Sequence, residues 1–103
     1  MYKEKKYLTC TNVFYYGITD ENIFFEWIKR INCIEKFDGQ LNDLYLYLKN
    51  NELSEDDLYE LLAFFKRYKI DMKQLRVFLT EENKKLFLKN KKAYWYKPLF
   101  GDK

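Results

Sequence analysis

Histidine is absent from all 103 residues of this chain. That removes serine–histidine and cysteine–histidine nucleophile pairs, the commonest general base at neutral pH, and most catalytic zinc sites. The three glycines stand alone at positions 17, 39 and 101, so no glycine-rich loop can cradle a phosphate. Cys10 and Cys33 cannot complete a structural zinc site without histidine partners. No metal, cofactor or small-molecule ligand is expected. No apolar run approaches the roughly 20 residues of a membrane-spanning helix, and no apolar stretch of signal-peptide length follows the charged start MYKEKKYLTC. The sequence therefore predicts no secretory leader, no membrane contact, a cytoplasmic location and two reduced, partly buried thiols.

What the chain does have is apolar and aromatic mass: 48% hydrophobic residues, with ten Tyr and nine Phe. That is too much for a disordered chain, and the length suits a single domain over residues 1–103. A single proline leaves few breakers, so well-defined elements with short connections are expected.

The net charge of +3 conceals two opposite halves. Between Thr11 and Leu62 eleven acids face only Lys29, Arg30, Lys36 and Lys49; from Ala63 to Lys103 twelve bases face Asp71, Glu81, Glu82 and Asp102. Segregation of this kind points to a surface that meets a charged macromolecule.

Tyr7 to Tyr16, aromatic and β-branched, reads as extended and closes at Gly17. Thr19-Asp20 offers helix-start chemistry, and Ile23, Phe24, Trp27, Ile28 and Ile31 recur at helical spacing, which predicts a helix from Asp20 to Ile31. Asp38-Gly39 is a turn signal between Cys33–Phe37 and the alternating Leu44–Leu48, read as a small hairpin; the same residues also fit a helical template. Ser54 with Asp57 resembles a capping box, and Leu58, Leu61, Leu62, Phe64, Phe65 and Tyr68 form a broad apolar arc behind it. Asp71 and Thr80 can cap two further helices, Asn90 ends the second, and Pro98 forbids helix continuation in the aromatic tail. The expected fold is α+β, a predominantly helical single domain with a small antiparallel hairpin or sheet; an all-α fold is the alternative.

Glu52, Glu55, Asp56, Asp57 and Glu60 crowd the start of the strongest helix, and Asp20 and Glu21 open another. Acids in a first turn complement the helix dipole, but Asp56 and Glu60 repel each other at i, i+4, which hints at a further use. A carboxylate pair could serve a hydrolase, yet acids at helix starts are chiefly solvated, and catalysis is not expected. In the basic half, Lys84, Lys85, Lys89, Lys91, Lys92 and Lys97 interleave with Phe87, Tyr94, Trp95 and Tyr96. That mixture either grips single-stranded nucleic acid or closes the core with its lysines in water.

Phe24-Phe25-Glu26-Trp27, Asp57-Leu58-Tyr59-Glu60-Leu61-Leu62, the run Arg67 to Leu75, and Ala93-Tyr94-Trp95-Tyr96 through Phe100-Gly101 resemble small bacterial immunity proteins of polymorphic and contact-dependent inhibition systems. The resemblance implies a small, cytosolic, non-enzymatic protein that binds a cognate C-terminal toxin domain and blocks its active site. Many such toxins are nucleases with basic clefts, so Glu52, Glu55, Asp56, Asp57, Glu60, Asp20 and Glu21 become the expected contacts. A pI of 8.7 departs from the acidic balance usual for nuclease inhibitors. Two other readings stay open: a nucleic-acid-binding regulator built on the basic aromatic half, and a subunit of a larger assembly.

Overall fold

The computed structural model describes residues 7–50 and 52–101; the charges at positions 3–6 and 102–103 lie outside the described residues. Among the described residues, three strands and four α-helices follow in the order β1 (Tyr7–Thr11), α1 (Ile18–Arg30), β2 (Ile34–Gln40), β3 (Asp43–Leu48), α2 (Glu55–Tyr68), a 3-10 helix (Met72–Phe78), α3 (Glu81–Leu88) and α4 (Tyr96–Phe100). The fold is a small α+β domain with one antiparallel sheet, and the all-α alternative is set aside by the pairing of β2 with β3.

The sheet order is β1-β3-β2, with β3 antiparallel to both neighbours. Composition explains the arrangement. The alternating sequence DLYLYL of β3 turns Leu46 and Leu48 into the core and Tyr45 and Tyr47 outward, which suits a central strand. The charged sequence IEKFDGQ of β2 suits an edge. Leu8 and Cys10 of β1 add to the buried face, and the helices pack there around Phe24, Phe64, Phe65 and Phe87. α2 occupies the middle: Phe64 meets Phe24 with ring centroids 5.0 Å apart and Trp27 at 5.1 Å.

The capping box at α2 is complete, with Ser54 Oγ accepting from the Asp57 N–H at 3.1 Å and the Asp57 carboxylate accepting from the Ser54 N–H at 3.3 Å. Asp71 and Thr80 cap the next two helices through Lys73 N–H and Asn83 N–H.

Four sequence expectations need correction. The extended segment from Tyr7 stops at Thr11, because Asn12 turns into the left-handed region at φ 52°. The first helix starts at Ile18 rather than Asp20; Gly17 caps it without a side-chain bond, while Asp20 reaches back to the Tyr16 N–H at 2.8 Å. Asp38 and Gly39 lie inside β2, and the hairpin turns at Leu41-Asn42, with Leu41 at φ 56°. Pro98 sits within α4, in the first turn, where its missing N–H leaves no helical bond unmade.

Candidate functional site

The outward side of α2 is set by the same wheel that buries Leu58, Leu61, Leu62, Phe64 and Phe65. Asp56, Glu60, Ala63 and Arg67 then fall at i, i+4, i+7 and i+11 on the opposite side, with Tyr59 beside them. Glu52, Glu55, Asp56 and Glu60 are exposed, and among the described residues none of them has a lysine or arginine partner. Asp57 differs. Its carboxylate is committed to the Ser54 N–H, so it holds the helix start together.

Aromatic rings flank these carboxylates. Trp27 of α1 donates its Nε1–H to Glu60 Oε1 at 3.0 Å, while its ring leans edge-on against Phe64. On the other flank Tyr59 packs on Phe87 at 4.8 Å and on Trp95 at 5.6 Å, and Tyr94 stands edge-to-face on Trp95 at 5.2 Å. Trp95 is itself fixed by donating its Nε1–H to the Phe87 carbonyl at 3.2 Å. Tyr59 and Tyr94 remain 40% and 41% exposed. Partial burial raises the Tyr94 hydroxyl above its ordinary pKa, helped by the negative charge of Glu60 and then by Tyr59, which places that hydroxyl in the field of the acidic stripe. The result is a face of fixed rings around unneutralised carboxylates.

Not all seven sequence-selected acids belong to it. Asp20 Oδ1 accepts from the Tyr68 hydroxyl at 3.0 Å, at the C-terminal end of α2. Along a helix rising about 1.5 Å per residue, that end lies roughly 20 Å from Glu55. Burial, and then the bond to Asp20, raises the Tyr68 pKa. Half-buried Glu21 is next in line after burial among the causes that raise Tyr15. Asp20 therefore ties the β1–α1 connection to the far end of α2 and Glu21 acts on Tyr15 in that connection, whereas Glu52, Glu55, Asp56 and Glu60 gather at the start of α2. Trp27, Tyr59 and Tyr94 belong to the face; the sequence did not mark Trp27 or Tyr59 as contacts, and it grouped Tyr94 with the lysines of the basic half rather than with these acids. For Tyr59 a signal was present, since it sits outside the buried arc on the helical wheel. For Trp27 there was none, because its spacing on α1 reads as core.

In the basic half, Lys84, Lys85, Lys89, Lys91, Lys92 and Lys97 are exposed, but most of their interleaved rings are turned inward. Phe87 is buried, Trp95 lies on it, and Tyr96 packs against Phe100 at 5.7 Å. These rings close the C-terminal end of the core rather than offering a stacking platform.

The cysteines are free and buried, and burial pushes both thiols up to about 12. Among the described residues no group of three or more His, Cys, Asp or Glu side chains is placed to hold a metal ion, and no helix is long and apolar enough to cross a membrane. Comparison with family models, curated proteins and solved structures gave no match to the chain.

Proposed function

We propose that this chain is a non-enzymatic immunity-type module of the cytoplasm, which binds a bacterial toxin domain through the outward face of α2 and covers that domain's active site. The observation that supports the reading is the combination of half-exposed Tyr59 and Tyr94, held in place by Phe87 and Trp95, with Glu55, Asp56 and Glu60, which have no cationic partner among the described residues. Rigid aromatic anchors supply most of the energy of protein interfaces, and unpaired charge at the rim speeds encounter and selects the partner. The partner that fits is basic where it is covered, as the phosphate-binding cleft of a nuclease is.

The test is association of the purified chain with a toxin domain retained from the native host after nuclease treatment and a salt wash. The wild type is expected to form a complex of about one-to-one stoichiometry and to stop the toxin's activity. Reversing Asp56 and Glu60 to lysine is expected to slow association at least about tenfold at low salt, with a smaller effect at high salt. Equal association rates for the wild type and the double variant would overturn the assignment of this face.

A further inference from the structure

The two edges of the sheet are treated differently. At the β1 edge, Gln74 of the 3-10 helix accepts from the Thr9 N–H at 2.7 Å and donates to the Thr9 carbonyl at 2.9 Å, so a side-chain amide takes the place of a neighbouring strand. At the β2 edge no side chain does so among the described residues. β2 is exposed along almost all its length, and Phe37 on its inner face is 38% exposed although its ring packs on Phe25 at 5.4 Å.

The direction of each backbone group on β2 follows from the ladder. Asn12 N–H bonds the Asn42 carbonyl, and Thr9 turns its own N–H and C=O to Gln74. Leu44 and Leu46 therefore bond toward β1, while Asp43, Tyr45 and Tyr47 bond toward β2, where their partners are Gln40, Asp38 and Lys36. The alternate residues Phe37 and Gly39 are left with N–H and C=O groups pointing out of the sheet. An antiparallel strand arriving at this edge must bond to those residues.

The geometry points to a second copy of this chain as that strand, with β2 pairing to β2 about a two-fold axis through Phe37. In this register Phe37 faces the second copy's Phe37 and both exchange backbone bonds. Lys36 faces the second copy's Asp38, and Asp38 faces its Lys36. Opposite charges thus meet twice in non-hydrogen-bonded positions, where facing side chains are closest. The neighbouring registers that keep Phe37 and Gly39 bonded lie two residues away. One puts Asp38 against Asp38 and the other Lys36 against Lys36, and both are repulsive. Within each copy Lys36 already rests over the Tyr47 ring at 5.3 Å, so its ammonium stays on the outer face between that ring and the incoming carboxylate. The same register lays the two half-exposed Phe37 rings against each other. The irregularity between Ile34 and Lys36 ends the pairing, and the two-fold axis repeats it at both ends, so the interface is small and the dimer weak and concentration-dependent.

The test is sedimentation equilibrium of the full chain from micromolar to millimolar concentration, with amide exchange followed in parallel. A reversible dimer is expected, and the Phe37 and Gly39 amides gain protection as concentration rises. Lys36→Asp or Asp38→Lys alone weakens the dimer roughly tenfold, because each creates two like-charged pairs, and the double exchange Lys36→Asp with Asp38→Lys restores it. Both side chains are exposed, so an unchanged circular dichroism spectrum for each variant shows that the fold is kept. A chain that is monomeric throughout overturns the proposal, as does a dimer indifferent to the single reversals.

Discussion

Replacing Gln74 by alanine tests how the sheet is fastened to the helical half. One side-chain amide makes three hydrogen bonds: from the Thr9 N–H at 2.7 Å, to the Thr9 carbonyl at 2.9 Å and to the Asp71 carbonyl at 2.9 Å. The two bonds to Thr9 are partly buried and bridge 65 positions of sequence, while the bond to Asp71 is exposed and local. At about 1 kcal/mol for each partly buried bond and little for the exposed one, Gln74→Ala should cost about 2 kcal/mol. For a domain of this size that corresponds to a fall in Tm of roughly 10 °C. Gln74→Glu sharpens the test. A carboxylate still accepts from the Thr9 N–H but sets a second anionic oxygen against two carbonyls, so this variant should be no more stable than alanine at pH 7. It should recover part of the loss below about pH 4, where the protonated acid can donate again. Urea denaturation at pH 7 and pH 4, with exchange of the Thr9 amide, measures both effects. A loss below about 0.5 kcal/mol for alanine, or a glutamate variant as stable as wild type at pH 7, would refute the clamp.

Other consequences can be checked in the same way. Ser54→Ala removes the acceptor for the Asp57 N–H while the backbone N–H of position 54 keeps its bond to the Asp57 carboxylate, so it should cost about 1 kcal/mol in chemical denaturation; a neutral result would contradict the cap. With both thiols pushed up to about 12, only roughly one in ten thousand is ionised at pH 8, so a disulfide reagent should label the native protein far more slowly than the unfolded one; rapid labelling of the native protein would disprove the burial of Cys10 and Cys33. Tyr15, Tyr45, Tyr68 and Tyr94 are all raised above their ordinary value of 10.0, by desolvation first in each case. The unfolded chain therefore releases these protons before the folded one does. Their contribution is fully present below pH 10 and is lost as pH climbs through the folded values. Tyrosinate absorbance should show a late-titrating group that merges with the rest on denaturation, and a single titration near pH 10 in the native protein would contradict this.

The legible parts of the fold were those whose signal is local. The reciprocal Ser54–Asp57 cap and the broad arc from Leu58 to Tyr68 identify α2, and Asp71 and Thr80 mark the next two helix starts through their own side chains. What escaped was set by partners distant in sequence or by uncommon backbone. Gly39 is a strong turn signal, yet it lies flat in an edge strand while Leu41, a residue with no turn preference, adopts the left-handed conformation. Asp20 reads as a helix-start residue and reaches Tyr68 across 48 positions; Trp27 reads as core and reaches Glu60 across 33. The acids of α2 were legible as a cluster. The rings around them were not, since Tyr59, Phe87, Tyr94 and Trp95 are brought together only when α3 and the chain beyond it fold back on α2.

These rings also separate the two charged halves by role. In the basic half the aromatic residues are mostly spent on packing, and the lysines stay in water. Around α2 the reverse holds: Tyr59, Tyr94 and the Trp27–Glu60 pair remain at the surface beside carboxylates with no cationic partner among the described residues. A rigid aromatic patch with unpaired charge suits a protein partner better than a flexible polyanion, which would meet the wrong sign there.

The most direct measurement of the proposed immunity role is binding of the chain to a candidate toxin domain from its host, comparing the wild type with Tyr59→Ala and with Asp56 and Glu60 both reversed to lysine. The account predicts a salt-resistant complex of about one-to-one stoichiometry for the wild type, faster dissociation for the tyrosine variant and slower association for the charge variant. Retention of nucleic acid alone, lost as salt rises, or a complex indifferent to all three substitutions, would contradict it.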